Sequence, residues 1–207
     1  MTLLARSLGP ALFPSVLWHT EEHKLHITFD DGPHPEATPI ALEVLQKRKI
    51  RATFFLVGSR VAQYPQLAKT IAQEGHAVGN HTLTHPNLFL KPRPQQTYEI
   101  VEADKIIAEA VGSRPAFFRP PYGYFDLITL DIAERTNHKV VLWDVDSRDF
   151  EVSSPTSITA NVTKKARAGA ILLFHDNDAT GRKLRGVLDP IFDRLEERGF
   201  DFSPLPV

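Results

Sequence analysis

The sequence predicts an α/β fold built on a parallel β-sheet. Strand-like and helix-like segments alternate along the 207 residues. Most of the strand-like segments are almost continuously apolar, as expected for strands that are covered on both faces. With 42% hydrophobic residues, the chain can bury a core of ordinary size in one domain. Both a doubly wound sheet and a barrel fit this pattern.

The first strand begins near Leu25 and ends at Asp30 or Asp31. Asp and Gly disfavour strand interiors and Pro cannot donate to a ladder, so the Asp-Asp-Gly-Pro sequence from Asp30 to Pro33 stops the strand. The next segment, residues 36–49, carries apolar residues at helical spacing and is predicted to be a helix.

The remaining elements follow from the same two periodicities. The predicted strands have apolar runs bounded by Gly, Pro or polar residues and cover residues 52–57, 76–80, 115–119, 139–143, 170–174 and 200–202. The predicted helices have an apolar stripe and cover residues 61–74, 95–111, 127–135, 155–168 and 184–198. Gly75, Gly169 and Gly199 follow three of these helices, where a C′ glycine is common.

Residues 1–20 form an apolar segment before a domain that we assign to residues 21–207. Gly9-Pro10 and Pro14 interrupt the segment, which is too short and broken for a stable membrane span. It lacks a clear cleavage site. We expect it to pack against the domain or to associate loosely with a surface. The default location is therefore the cytoplasm, with association with the cell envelope as the alternative.

Charge and cysteine content exclude several functional classes. The 24 basic and 25 acidic residues nearly balance, so there is no basic field for nucleic acid. The chain has no cysteine, which excludes disulfides, thiol nucleophiles and thiolate metal sites. Any metal ion must be held by carboxylates and by some of the nine histidines. The sequence does not indicate an oligomeric state.

Polar side chains with catalytic or ligating groups follow five of the predicted strands. They are Asp30 and Asp31, His81 and His85, Arg119 and Tyr122, Asp146 and Asp149, and His175. The carboxyl ends of parallel strands lie on one side of the sheet, where sites are built in such folds. We therefore expect these side chains to meet.

A metal site is the first expectation for this group. His81 and His85 are four residues apart and suit zinc or a similar ion. One of Asp30 and Asp31 would complete a three-ligand set with an open position for water, and the other would be free to act as a base.

The other strand ends predict supporting roles. Arg119 can hold a carboxylate in its ionised form, and a backbone N–H near Tyr122 can face an oxyanion. His175 is a candidate general acid or base, with Asp146 or Asp149 as the carboxylate that sets its pKa. By contrast, His26, His76 and His138 are assigned to solvated positions.

Taken together, these motifs resemble the polysaccharide deacetylase family, which is the NodB-homology domain or carbohydrate esterase family 4. The similarity covers residues 24–203 and rests on five motifs in the family's order. They are Thr28-Phe29-Asp30-Asp31-Gly32-Pro33, His81-Thr82-Leu83-Thr84-His85, Arg119-Pro120-Pro121-Tyr122, Asp146-Ser147-Arg148-Asp149-Phe150 and Leu173-Phe174-His175. The fourth motif often ends in Asp-Trp, whereas this chain has Asp149-Phe150, which loses the indole N–H.

The resemblance implies a single deformed (β/α) barrel of about seven parallel strands with surrounding helices. It also implies one divalent metal ion, Zn²⁺ in the first place, with Co²⁺, Mn²⁺ or Ni²⁺ as alternatives. By motif position, the ligands are Asp31, His81 and His85.

The resemblance assigns the remaining roles as well. Asp30 becomes the catalytic base and Arg119 its orienting partner. His175 becomes the general acid, tuned by Asp149. The oxyanion donor is the Tyr122 backbone N–H, and the acetyl pocket is lined by Leu173, Phe150 and Pro120.

The implied activity is hydrolysis of a linear amide. The substrate would be an N-acetylated amino sugar in a chitin-like or peptidoglycan-like polysaccharide or oligosaccharide, and acetate would be released. Three alternatives stay open: an O-acetyl esterase of the xylan type, a hydrolase of non-sugar amides on the same fold, and a carbohydrate-binding protein without catalysis.

Overall fold

The computed structural model describes residues 9–151 and 154–206, except for the side chain of Arg182. The first eight residues of the predicted N-terminal segment lie outside the described part. The strands are β1 (Leu25–Asp30), β2 (Thr53–Leu56), β3 (Ala77–Asn80), β4 (Phe117–Phe118), β5 (Lys139–Val140), β6 (Val145–Asp146), β7 (Ile171–His175) and β8 (Phe202–Ser203). The helices that pack around them are α1 (Ala37–Arg48), α2 (Gly58–Gln63), α3 (Pro65–Gln73), α4 (Arg93–Val111), α5 (Leu127–Arg135), α6 (Pro155–Lys165) and α7 (Leu184–Glu197).

All of the strand pairs in the described residues are parallel, as predicted. Seven strands lie in the order β5-β4-β3-β2-β1-β7-β6, and β8 pairs with the start of β1. Strand β1 is therefore central, with β2 on one side and β7 on the other. In the register with β7, Asp30 is the partner of His175. The carboxyl ends of these two strands thus bring the first and last predicted motifs together.

The sheet curls into a barrel because its two outer strands are consecutive in the chain. Strand β5 ends at Val140 and β6 begins at Val145, at the other end of the strand order. Outer strands of a flat seven-stranded sheet would be about 29 Å apart, whereas five extended residues reach at most about 18 Å. The seam is partly filled by Leu17, which pairs with Val141. The predicted deformed barrel is confirmed.

Side chains on alternate positions of the strands build two separate cores. One core lies between the sheet and the helices, and its strand residues are Ile27, Phe29, Phe54, Leu56, Leu172 and Phe174. The other lies inside the barrel and includes Phe55, Phe118, Trp143, Ile171 and Leu173. On β1, Ile27 and Phe29 face the helices, so the alternate residues Thr28 and Asp30 are directed into the barrel.

One predicted strand is shorter in the structure, and one predicted helix is divided into two. The predicted strand over residues 139–143 is wrong beyond Val140, because the chain there leaves one edge of the sheet and crosses the seam to β6. The predicted helix over residues 61–74 is two helices, α2 and α3. Pro65 begins α3 as its first residue, and Tyr64 before it leaves the helical region, with φ −129° and ψ 56°.

The described part of the N-terminal segment packs against the barrel. Val16 and Trp18 are buried with the interior core. This is the first of the two arrangements expected from the sequence. Within the described residues, no helix is both long and apolar enough to cross a membrane.

Three histidines that were predicted to be solvated are buried. The ring of His26 contacts Thr20, and His138 donates from Nε2 to Asp104 at 3.0 Å. The Nδ1 atom of His76 accepts the Ala52 N–H at 3.1 Å. The prediction was wrong because each ring lies beside a strand end and satisfies a polar group there.

Candidate active site and metal centre

Two adjacent aspartates at the end of β1 have different surroundings. Asp30 is the last residue of the strand, is 3% exposed and points into the barrel. Asp31 takes a left-handed backbone conformation, with φ 79°, and its side chain is only partly buried. Asp30 Oδ2 and Asp31 Oδ1 each lie 3.6 Å from His81 Nε2, but of the two carboxylates only Asp30 contacts Arg119 in the described residues. The pair is therefore suited to two different tasks.

Arg119 holds Asp30 from inside the barrel. Its fully buried guanidinium donates from Nη1 to Asp30 Oδ1 at 2.7 Å and to Thr28 Oγ1 at 2.8 Å. It also lies 4.0 Å from the centre of the Phe55 ring. A charge-assisted hydrogen bond of this kind is stronger than one between neutral groups. The contact that the sequence predicted between Arg119 and one of the two aspartates is present, and the partner is Asp30.

The same guanidinium binds the chain that crosses the seam. Its Nε and Nη2 atoms donate to the carbonyl groups of Val141 and Leu142, at 3.3 and 3.1 Å. Every donor nitrogen of Arg119 therefore has an acceptor, which is required of a charge that is completely buried.

Asp31, His81 and His85 form a candidate metal centre. Each offers one ligand atom, and these atoms lie within 4.8 Å of one another. The Nε2 atoms of His81 and His85 are 3.6 and 3.1 Å from Asp31 Oδ1. His81 donates its Nδ1–H to the Arg119 carbonyl at 2.7 Å, and a carbonyl can only accept. The Nε2 lone pair of His81 is therefore available at the centre.

The chemistry of this donor set fits a divalent cation. Asp31 Oδ1 is buried and makes no hydrogen bond to any described residue. Burial lowers the pKa of His81, so that its imidazole is neutral, which is the form that binds metal. Burial alone would raise the pKa of Asp31, but His85 and His81 outweigh it and lower the pKa below its ordinary value. Two imidazoles and an ionised carboxylate with one oxygen free of hydrogen bonds to described residues are a suitable ligand set for such an ion.

Helix α4 holds the loop that carries the two histidines. Asn80 accepts the Thr82 N–H at 2.7 Å through Oδ1 and donates to Asp104 of α4 at 2.7 Å. Glu99 of α4 accepts both the N–H and the hydroxyl of Thr84, at 2.8 and 2.7 Å. The sequence pattern does not single out Asn80, Glu99 or Asp104, because their partners are identified only by the packing of α4.

His175 lies at the end of β7 with Asp149 as its partner. Its Nδ1 donates to Asp149 Oδ1 at 2.8 Å, and its backbone N–H donates to Asp149 Oδ2 at 2.9 Å. Sequence reasoning from the residues left Asp146 and Asp149 open for this position. Asp146 instead accepts the Arg148 N–H at 2.9 Å on the exposed side of the loop.

Asp149 keeps His175 protonated at neutral pH. Burial acts to lower the pKa of His175, but the hydrogen bond and charge of Asp149, together with Asp31 and Asp30, raise the pKa to about 9. With Nδ1 occupied by Asp149, Nε2 is the nitrogen that remains for a substrate.

The four other predicted pocket residues surround the mouth of this site. Tyr122 packs edge-to-face on His85, with ring centres 4.8 Å apart, and is 55% exposed. Phe150 packs in the same way on His175 at 4.9 Å and is 43% exposed. Leu173 lies two residues before His175 on the inward face of β7 and is buried. Their roles in binding stay predictions.

Pro120 supports the backbone of Tyr122. Its carbonyl accepts the Gly123 N–H at 3.0 Å, and the turn places Tyr122 in the left-handed region with φ 61°. The resemblance assigned roles to eleven residues, and in the structure all eleven lie at one end of the barrel.

An open groove leads away from the metal centre. A hollow of about 360 Å³ is lined by Asp31, His85 and Asn177. A second hollow of about 510 Å³ is lined by His34 and Tyr64. Arg60 and Asp178, which are 3.6 Å apart as an ion pair, line both hollows, so the two hollows are adjacent.

Comparison with known proteins identifies the family. The family model described as polysaccharide deacetylase matches residues 19–141. The chain belongs to the polysaccharide deacetylase family. The resemblance found in the sequence is thereby confirmed, and the matched residues contain Asp30, Asp31, His81, His85 and Arg119.

Individual relatives in this family are similar over most of the chain. A peptidoglycan-N-acetylglucosamine deacetylase of Bacillus cereus is 38% identical over 183 residues, which cover 87% of this chain and 66% of the relative. A chitooligosaccharide deacetylase of Azorhizobium caulinodans is 34% identical over 197 residues, which cover 89% of this chain and 94% of that protein. The chain thus spans slightly less than two thirds of the first relative's length.

A solved structure shows the same fold. The crystal structure of the Bc1960 peptidoglycan N-acetylglucosamine deacetylase, in complex with 4-naphthalen-1-yl-N-oxidanyl-benzamide, superposes with a TM-score of 0.89. It is 33% identical to this deacetylase-family chain, with 93% of this chain and 91% of that chain covered.

Proposed function

We propose that the protein is a metal-dependent deacetylase, which hydrolyses the acetamido group of N-acetylated amino sugars in a polysaccharide or oligosaccharide and releases acetate. One observation carries the proposal. Asp30, held by Arg119, and His175, held by Asp149, are register partners on adjacent strands beside the Asp31, His81 and His85 centre. A candidate base, a candidate acid and a candidate metal site lie together, which suits metal-assisted amide hydrolysis and which simple sugar binding does not need.

The ion proposed for this centre is Zn²⁺, held by Asp31, His81 and His85. Two imidazoles and one carboxylate suit zinc, and Co²⁺, Mn²⁺ or Ni²⁺ can occupy similar sets. When bound, the ion supplies Lewis-acid polarisation of the acetyl carbonyl and lowers the pKa of water.

The residues of the chain provide the proton transfers. Arg119 occupies Oδ1 of Asp30, so Oδ2 is the atom that accepts a proton from the attacking water. Protonated His175 donates from Nε2 to the leaving amine. We assign the role of oxyanion donor to the backbone N–H of Tyr122, which lies in a left-handed turn and whose ring packs on His85.

The substrate class rests on the groove and on the relatives. The names of the two curated relatives describe removal of acetyl groups from an amino sugar, in peptidoglycan and in chitooligosaccharides respectively. The two adjacent hollows beside Asp31, which share Arg60 and Asp178, offer open space next to the site for a glycan substrate. Exposed Tyr122 and Phe150 can contact sugar rings at the mouth of the site.

An acetate-release assay tests the proposal. The full chain, supplied with Zn²⁺ or Co²⁺, is incubated with peptidoglycan fragments, chitin oligomers and acetylated xylan. We expect acetate from at least one N-acetylated glycan and none from the xylan, with an Asp31→Asn preparation as the inactive control. Release from xylan alone would favour an O-acetyl esterase. Metal binding without acetate from any of these glycans would contradict the proposal.

A further inference from the structure

Three consecutive residues directly after His175 each contact the chain that follows β1, in its loop and in the first turn of α1. The three pairs are Asp176 with Thr38, Asn177 with Asp31, and Asp178 with His34. These contacts join parts of the chain that are more than 130 residues apart. Only the middle pair involves a residue of the candidate metal centre.

The orientation of the Asn177 side chain is determined by its own turn. Its Oδ1 accepts the backbone N–H groups of Ala179 and Thr180, at 2.9 and 3.2 Å. The amide oxygen therefore faces the turn, and the NH₂ group must face the opposite way. There Nδ2 donates to Asp31 Oδ2 at 2.7 Å.

This contact leaves the two oxygens of Asp31 in different states. Oδ2 has a short hydrogen bond from a neutral donor, whereas Oδ1 lies 3.1 Å from His85 Nε2 and has no hydrogen bond to a described residue. Asp31 lies one residue after the end of β1, with φ 79°, so neither a strand nor a helix restrains the direction of its side chain. The amide of Asn177 supplies that restraint.

We propose that Asn177 is a positioning residue for the metal centre. It holds Asp31 so that Oδ1 alone faces His81 and His85 and Oδ2 is kept from the ion. This role for Asn177 deepens the proposed function, and it rests on the proposed function only through the assignment of Asp31 as a metal ligand. Hydrogen bonds of this kind to metal ligands commonly determine affinity by a factor of about 10–100.

Three single variants separate positioning from the structure of the turn. N177S removes the donor to Asp31 but keeps an oxygen that can accept a backbone N–H of the turn. N177A removes both. T180A is the matched control, because Thr180 Oγ1 accepts the Asn177 N–H and donates to its carbonyl, both at 3.1 Å, but does not contact Asp31.

Two readouts apply to the full chain of each variant, with circular dichroism to verify folding. The first is the Zn²⁺ dissociation constant from competition with a chelator. The second is the visible absorption spectrum of the Co²⁺-loaded protein, which reports the ligand geometry directly. We expect N177S and N177A to bind Zn²⁺ about 10–100-fold more weakly, with an altered Co²⁺ spectrum. T180A should stay within about twofold of the parent protein and keep its spectrum.

The inference is overturned if N177S retains the affinity and the spectrum of the parent protein. It is also overturned if T180A loses as much affinity as N177S, because the turn and not the donor would then be responsible. Both readouts are independent of acetate release. If the parent protein releases no acetate from any glycan, the proposed function fails while these measurements still decide the role of Asn177.

Discussion

At the scale of single residues, environment gives two neighbouring aspartates different chemistry. Asp30 is enclosed with a guanidinium, whereas Asp31 faces two imidazoles. The strand ends at the first and the left-handed conformation begins at the second. The Asp-Asp-Gly-Pro sequence predicted the strand end, and the family resemblance supplied the assignment of roles.

The first prediction concerns Asp30. An Asp30→Asn variant should keep the metal ligands intact but lose its base, so that kcat falls by about 10²–10⁴-fold while bound Zn²⁺ is unchanged. Acetate release and elemental analysis of one preparation measure the two effects. The matched variant Asp31→Asn should lose the ion instead. Undiminished turnover in D30N would exclude Asp30 as the base.

The second prediction concerns the pKa of His175, which Asp149 raises to about 9. The general acid is protonated below this pKa, so activity should decline as the pH rises through it. Asp149→Asn removes the charge that stabilises the imidazolium, and the alkaline limb of the kcat/KM profile should move to lower pH. Asp146→Asn is the control, since Asp146 does not contact His175. An unshifted alkaline limb in D149N would refute the assignment of the limb to His175.

At the scale of elements, the site depends on contacts that no local pattern reveals. Seven of the eight strands in the described residues, most helices and the five polar strand ends follow from hydrophobic periodicity and from the Gly, Pro and polar residues that bound the elements, and they were predicted. Strand β6 was not predicted, because only two residues, Val145 and Asp146, form it. The contacts between α4 and the loop that carries His81 and His85 were not predicted. Glu99 and Asn80 make hydrogen bonds between elements that are separate in sequence, and only the packing of α4 shows these partners. Asn177 lies between β7 and α7, and the sequence pattern gives it no role, because its partner Asp31 is 146 residues away.

A third prediction belongs to the turn between α3 and β3. Burial, aided by the charge of Arg51, lowers the pKa of His76 from 6.5 to about 4. The stability that depends on neutral His76 is complete above about pH 6.5 and is lost as the pH falls toward 4, because the unfolded chain binds the proton first. Across this window, the loss is about 3 kcal/mol.

A His76→Asn variant does not titrate, and its amide oxygen can accept the Ala52 N–H. The drop in unfolding free energy between pH 7 and pH 4 should therefore be smaller than in the parent protein, as measured by urea denaturation with a chelator present. Exposed His23→Asn is the control and should change nothing. Equal pH dependence in H76N and the parent protein would contradict this explanation.

At the scale of the whole molecule, the proposed metal ligands connect separate parts of the barrel. Asp31 follows β1, whereas His81 and His85 follow β3, and β2 lies between these strands. An ion bound by all three therefore stabilises the folded chain and has no comparable site in the unfolded one.

The fourth prediction is a shift in thermal stability on metal removal. At a free Zn²⁺ concentration of about 1,000 times Kd, binding adds about 4 kcal/mol to the free energy of unfolding. For a chain of this size, this corresponds to a rise in Tm of about 8–16 °C. Thermal unfolding with Zn²⁺ and with a chelator measures this difference. His85→Ala should show a much smaller shift, and an identical Tm in both conditions for the parent protein would argue against a specific site.

The curvature of the sheet was predicted only through the family resemblance. Apolar strands and intervening helices are compatible with an open sheet as well as with a barrel. The deciding feature is the short crossing from Val140 to Val145, and its residues continue the apolar run of β5 in sequence. The strand predicted there was too long, because only the three-dimensional path shows that the chain changes edges.

Arg119 occupies both the catalytic and the architectural part of this molecule. The guanidinium that fixes Asp30 also binds the two carbonyl groups at the seam of the barrel. Its replacement would remove the partner of a buried carboxylate and leave main-chain acceptors unsatisfied in the interior, which costs several kcal/mol. A single substitution of Arg119 is therefore expected to lower the free energy of unfolding as well as turnover, which separates it from a substitution that affects the chemistry alone.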